Sequence, residues 1–267
     1  MSEPALLVDK QDGYRVLTLN RPKQLNAFDA SSHDAMRAAL DEIEADKTCR
    51  ALLLTGAGRA FCAGQDLSAV ELPGPDRPPA QVDLGRTIDE DYNPMLRRLR
   101  ALPMPVICAV NGMAAGGGAN IAFSCDIVLA ARSAQFLQAF AKIGLVPDCG
   151  GTWLLPHLAG PARARGMALL AEPITAETAE RWGLIWKVYD DELLMGEAYA
   201  LCAKLAKGPT SAYAATKRAL DAAVTSTFDA QLDRERDVQR AMGREHDFNE
   251  GVRAFLEKRP AKFTGAA

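Results

Sequence analysis

Residues 106–128 read VICAVNGMAAGGGANIAFSCDIV. The run Val106–Val110 is short and apolar, with Pro105 before it and Asn111-Gly112 after it, the pattern of a buried strand. Gly116, Gly117 and Gly118 come next, and then a helical apolar pattern, NIAFSCDIV. The uncharged segment around this stretch, Ala101 to Cys125, is long enough to span a bilayer. Its Pro103, Pro105, Asn111, Asn120 and glycine run argue instead for a strand, a glycine turn and a buried helix.

The same alternation extends on both sides. Tyr14–Asn20 alternates apolar and polar residues, as a strand does, and Arg21-Pro22 ends it. Ser31 to Asp46 carries Met36, Leu40 and Ile43 at helical spacing, with Asp29, Ser31 or Ser32 available as N-cap. Ala51–Thr55 and Ile127–Ala130 are two further short apolar strands. Strands alternating with helices predict an α/β fold. From Pro161 onward helical patterns dominate, with amphipathic stretches at 190–207, 209–224, 228–243 and 247–258. The expected division is a core over residues 1–200, carrying the active site, and a C-terminal helical region over 201–267. Leu72 to Pro79, LPGPDRPP, is the one linker-like segment, read as a mobile surface loop that can lie over an active site.

Composition narrows the function classes. A chain of 267 residues can bury a sizeable core. Charged residues make up 24% and hydrophobic residues 48%, the balance of an ordinary globular protein. The net charge of −3, with Lys and Arg scattered, predicts neither a nucleic-acid partner nor a membrane surface. The six cysteines form no C-x-x-C pair and sit among apolar residues, so reduced, buried thiols are expected. His33, His157 and His246 lie far apart, and no spacing resembles a metal site. The N-terminus has no cationic segment followed by an apolar run, so the expected location is cytoplasmic.

Three segments carry chemistry. In GRAFCAGQDL, Gly58 to Leu67, a strand runs into a tight turn on Ala63 and Gly64, where small residues let a ligand reach the backbone. An ordinary strand–turn–helix link reads the same way. The glycine run at 116–118 suits phosphate binding or an oxyanion hole. G-x-G-x-x-G is not satisfied and no Lys-Ser/Thr follows, so neither nucleotide motif is present. Asp126 is also too close to serve as the ribose-binding acid of a dinucleotide site. In the third segment Asp148 stands between Pro147 and a glycine pair in an apolar setting, as either a helix N-cap or a functional base.

Together, in this order, these segments resemble the crotonase (enoyl-CoA hydratase/isomerase) family. The likeness rests on R-P-x-x-x-N-A (Arg21 to Ala27), T-G-x-G-x-x-F-C-A-G-x-D-L (Thr55 to Leu67), the strand–N-G–G-G-G–helix–C-D-I element (Val106 to Ile127), P-x-x-G-G-T (Pro147 to Thr152) and A-F-L-E-K-R (Ala254 to Arg259). It covers the chain from about residue 5 to 265. The resemblance implies a spiral of β-β-α units followed by helices that build homotrimers, often paired into homohexamers. It implies an acyl-CoA thioester as substrate and no cofactor. By position, the N–H groups of Gln65 and Gly117 would hold the thioester oxygen. Ala27, Ala63, Gln65, Asp66 and Leu67 would meet the coenzyme A carrier, and Phe255 and Lys258 would close on it.

The departures are as informative. Hydratases of the family carry two glutamates, and here Asn120 and Phe140 occupy those positions. Water addition needs a base for the water and an acid for the α-carbon. The carboxylate that is present, Asp148, falls where several isomerases and a dehalogenase of the family place a catalytic aspartate. NPMLRRLRALPMPVICAVNG, KIGLVPDCGGTWLLP and the tail from Phe228 resemble one branch in particular. That branch isomerises the ring epoxide of phenylacetyl-CoA in phenylacetate degradation and shifts 3,4 double bonds to the 2,3 position. The expectation is therefore an isomerase, with an aliphatic enoyl-CoA isomerase or a non-catalytic thioester binder as rivals. Phe136, Phe140 and Trp153 could line a pocket for a ring, or be simple core.

Overall fold

The structure is a computed structural model that describes residues 3–69 and 83–265. The chain opens with a hairpin of β1 (Leu6–Gln11) and β2 (Tyr14–Leu19), turned at Asp12-Gly13 with Gly13 at φ +78°. The sequence reading missed β1. Only Leu6 of its six residues is buried, so no period-2 pattern is written into it. Helix α1 (Ala30–Ala45) follows, and Asp29 is its cap, its Oδ1 accepting the Ser32 N–H at 2.9 Å.

The next elements form a repeating spiral. β3 (Ala51–Gly56) and β4 (Ala60–Cys62) lead to α2 (Leu84–Thr87) and α3 (Asn93–Ala101). β5 (Val106–Val110) and β6 (Met113–Ala115) lead to α4 (Gly117–Phe123). β7 (Ile127–Ala131) and β8 (Gln135–Leu137) lead to α5 (Gly151–Ala159) and α6 (Pro161–Leu170). β9 (Ile174–Thr175), α7 (Ala176–Trp182) and β10 (Lys187–Tyr189) complete the core. In each unit the first strand joins a six-stranded sheet ordered β1-β2-β3-β5-β7-β10, and the second joins a four-stranded sheet ordered β4-β6-β8-β9. The β-β-α spiral implied by the sequence motifs is the observed architecture.

The large sheet is covered on both faces, which is why β3 and β5 read as unbroken apolar runs. Leu52, Leu53 and Ile107 have no exposed surface. Burying one such side chain contributes about 1.5–3 kcal/mol. Helix α8 (Leu194–Ala206) packs on β3, β5 and β7. The division expected at 200/201 therefore falls inside a helix of the core. The helices that leave the core are α9 (Thr210–Ala223), α10 (Phe228–Met242) and α11 (His246–Leu256), and α10 buries none of its residues.

All six cysteines are free and buried. Among the described residues no helix is long and apolar enough to cross a membrane. The loop expected at Leu72–Pro79 lies outside the described residues.

Candidate active site

The turns that follow β4, β6 and β8 converge on one cavity of about 780 Å³. Its wall includes Ala63, Gly64, Gln65, Gly116, Gly117, Phe140 and Asp148. Helix α1 adds Ala30 and His33, and the segment around α2 adds Thr87, Ile88 and Tyr92.

Backbone geometry explains the small residues. Gly64 has φ +90°, and a Cβ on it would stand 3.0 Å from the Ala115 carbonyl oxygen and 3.3 Å from the Gly117 nitrogen. A Cβ on Gly118 would stand 2.3 Å from the Cys62 carbonyl oxygen, so α4 begins directly against the backbone of β4. Only glycine permits this approach.

The approach sets the start of α4 beside the turn that carries Gln65. Phe28 and Gln65 form an isolated parallel bridge, in which the Phe28 N–H donates to the Gly64 carbonyl (2.7 Å) and the Asp66 N–H donates to the Phe28 carbonyl (2.8 Å). The bridge leaves the N–H of Gln65 itself facing away from Phe28. Gly117 is the first residue of α4, so no preceding helical turn accepts its N–H.

Asp148 sits beside these donors. Its Oδ1 lies 3.5 Å from where a Cβ on Gly117 would be. That oxygen is buried and has no hydrogen-bond partner among the described residues. Burial pushes the carboxyl pKa up from its ordinary value, against a smaller opposing pull from the Cys149 thiol and the backbone. The cap of α5 is Gly150, so Asp148 does not cap that helix with its side chain. Cys149 and Gly150 take left-handed conformations (φ +49° and +77°), which turn the chain so that the Asp148 carbonyl, not its carboxylate, meets the helix. The Gly151 N–H donates to that carbonyl at 2.8 Å, and Asn120 Nδ2 donates to it at 2.8 Å. Gln138 Nε2 in turn donates to Asn120 Oδ1 at 2.8 Å. Asn120 is fully buried and anchors the backbone of Asp148 from behind.

Two other carboxylates reach the cavity, and both are engaged. Asp83 caps α2 through the Arg86 N–H at 3.2 Å, and Asp91 pairs with Arg37 at 2.9 Å.

The sequence reading missed Tyr92 and His33. Tyr92 ends a π-helical turn, Ile88–Tyr92, whose wider winding brings its ring to the cavity. Its hydroxyl donates to Gln65 Oε1 at 2.9 Å, and burial raises its pKa. No signal in IDEDY marks a π turn. His33 lies on the first turn of α1, 5% exposed, with its ring edge-on to Tyr92 at 4.5 Å between centroids.

The remaining predicted residues divide. Ala63 and Leu67 lie on the cavity wall with Gln65. Ala27 and Asp66 lie behind it, tied to Arg21. The guanidinium donates to the Ala27 carbonyl and pairs with Asp66 at 2.9 Å, and the Ser68 hydroxyl and Arg21 hold the Asp66 carboxyl below its ordinary pKa. Phe255 is 83% exposed and Lys258 is also exposed; both stand at the end of α11, away from the cavity. Phe255 borders a second hollow of about 500 Å³ between α9, α10 and α11. Within one chain these two residues do not close on the Asp148 cavity. Of the three aromatic residues weighed for a ring pocket, only Phe140 lines it. Phe136 is core, stacked on Phe123, and Trp153 is on the surface, stacked on His157.

A helix start beside a buried, unpartnered carboxylate suits proton transfer next to a carbonyl. The enoyl-CoA hydratase/isomerase family profile matches residues 9–266, and the chain belongs to that family. It is 53% identical over 262 residues to the 1,2-epoxyphenylacetyl-CoA isomerase of Escherichia coli strain K12, covering 97% of this chain and 98% of that one. It is 46% identical over 265 residues to a probable enoyl-CoA hydratase of Rhodobacter capsulatus, covering 99% of this chain and all of that one. The crystal structure of an enoyl-CoA hydratase from Bacillus anthracis superimposes with a TM-score of 0.89 at 28% identity, over 98% of this chain and all of that one.

Proposed function

We propose that this enzyme isomerises acyl-CoA thioesters, with Asp148 moving one proton and the N–H groups of Gln65 and Gly117 holding the thioester oxygen as an enolate. The observation that carries this reading is the buried, unpartnered Oδ1 of Asp148 beside Gly117. Asp148 takes the proton from the α-carbon. The negative charge spreads through the thioester to its oxygen and through the adjoining double bond to a carbon two bonds further along. The acid so formed gives the proton back there. Substrate and product contain the same atoms, so one group that first accepts and then donates completes the cycle. Each oxyanion donor in such chemistry is worth about 3 kcal/mol in the transition state.

The substrate we favour is ring-1,2-epoxyphenylacetyl-CoA: opening of the C–C bond shared by the epoxide and the six-membered ring gives an oxepin with a double bond next to the α-carbon, and the proton transfer above then yields the isomeric oxepin thioester, with a 3,4-to-2,3 double-bond shift in enoyl-CoA as a second activity. The 53% identity to the Escherichia coli isomerase supports this choice. At the hydratase glutamate positions, Asn120 points at the Asp148 carbonyl and Phe140 closes the cavity with a hydrocarbon ring. Neither can activate water. We further propose a cytoplasmic homotrimer or homohexamer, in which a neighbouring subunit covers the exposed apolar faces of α10 and α11.

The test supplies purified protein with a 3-enoyl-CoA and follows the absorbance of the conjugated thioester, in parallel with mass spectrometry on the epoxide thioester made in situ by an epoxidase. Conversion of both is expected. Binding of both without any conversion would overturn the proposal.

A further inference from the structure

Both ring nitrogens of His33 are buried and lack a hydrogen-bond partner among the described residues. An imidazole so placed forfeits its bonds to water, and proteins rarely leave such groups unmatched. His33 lies on the cavity wall, with Phe28 tilted against one side at 5.1 Å and Tyr92 edge-on at 4.5 Å between centroids. The backbone N–H of His33 is satisfied by the Asp29 carbonyl at 3.1 Å, so only the side chain is left wanting.

Its location gives the missing partner an address. Tyr92 Cε1 comes within 4.0 Å of where a Cβ on Gly117 would stand. Tyr92 therefore spans the distance from the oxyanion donors to His33. An acyl group whose thioester oxygen sat at Gln65 and Gly117 and whose far end followed the Tyr92 ring would come to the imidazole. Asp91, the carboxylate of the cavity wall whose charge acts on the imidazole, is already paired with Arg37 at 2.9 Å.

We infer that His33 is a specificity-determining residue that hydrogen-bonds an oxygen atom carried on the acyl group, one ring's breadth from the thioester. Burial lowers the imidazole pKa, so the ring is neutral at physiological pH and offers one donor and one acceptor. Such a pair fits a ring ether, an epoxide or a hydroxyl. The inference rests on the acyl group occupying this cavity, as proposed above, but not on turnover.

The experiment is therefore an equilibrium one. Calorimetry compares phenylacetyl-CoA with 2-, 3- and 4-hydroxyphenylacetyl-CoA on the parent protein, His33→Phe and His33→Gln. One hydroxy isomer should bind the parent about tenfold more tightly than phenylacetyl-CoA, the ratio a buried hydrogen bond gives. His33→Phe should bring that ratio to within about twofold, and His33→Gln, which keeps a donor and an acceptor, should restore part of it. If His33→Phe does not fold, His33→Leu replaces it in the same comparison. A parent protein that binds all four thioesters alike overturns the inference. So does a His33→Phe that keeps the preference or weakens all four equally. A protein that shows the affinity ratio yet isomerises nothing refutes the proposed reaction and leaves the role of His33 standing.

Discussion

Replacing Asp148 with asparagine separates chemistry from structure at the one group on which the mechanism turns. The change is nearly isosteric, and Oδ1 has no partner to lose. The Asp148 carbonyl keeps its bonds from Asn120 and Gly151, because those are made to the backbone. Fold and thioester affinity should survive. Turnover should not, since an amide cannot accept a proton near neutral pH. A general base contributes about 10²–10⁴-fold, or about 3–5 kcal/mol of barrier, and kcat should fall by that much. The pKa of Asp148 is raised in the folded chain, chiefly by burial, so the native state holds this proton more tightly than the unfolded chain does. The protonated form therefore favours folding, and that advantage is lost as pH rises from the unfolded value through the raised one. At neutral pH the buried carboxylate weighs against the fold. Asp148→Asn should melt at or above the parent temperature there, with the difference shrinking in acid. For the parent enzyme the carboxylate is the working form, so kcat should drop on the acidic side through a pKa above the ordinary 3.8. The assay is kcat on a 3-enoyl-CoA across pH, beside a binding isotherm and a thermal melt. Turnover within about threefold of the parent, far short of a lost general base, would refute the role given to Asp148.

Crotonyl-CoA hydration should be slower than in a two-glutamate hydratase by about 10²-fold or more, measured as loss of enoyl absorbance. A rate equal to a dedicated hydratase would mean that some other pair activates water. Asn120→Ala leaves the Asp148 carbonyl short of a donor and Gln138 without its acceptor, which should cost about 1–3 kcal/mol in a denaturant melt. By releasing the backbone of Asp148 it should also lower kcat more than it changes KM. Light scattering at micromolar protein should give the mass of a trimer or hexamer, and a monomer would count against the proposed assembly.

The repeating core was legible because its strands are buried on both faces. Ala51–Gly56 and Val106–Val110 have almost no choice but to be apolar. The edge strand β1 was not legible, because five of its six residues face solvent and carry no alternation. The turns that carry Gln65, Gly117 and Asp148 to one cavity were legible through the glycines around them, since close backbone approach writes itself into sequence as missing side chains, and the roles given to these residues came from the family resemblance. His33 and Tyr92 left no such mark. Each reaches the cavity through tertiary placement, one from the first turn of a helix and the other from a π turn. Phe136 and Trp153 show the converse: an aromatic residue near a motif tells nothing of whether it faces the cavity, the core or solvent.

The small sheet has a consequence for how this site keeps its dimensions. Gln65 follows β4, Gly117 follows β6 and Asp148 comes after β8, three strands hydrogen-bonded side by side. Neighbouring strands stand about 4.8 Å apart whatever their side chains. The interval from Gln65 to Gly117 is thus metered by the pitch of a sheet, whereas Asp148, eleven residues beyond β8, is placed by the segment that follows that strand. Segments between the strands can lengthen or shorten without changing that measure. A side chain on the helix that follows can be exchanged, as asparagine stands at position 120 of α4, and the spacing of the turns stays the same.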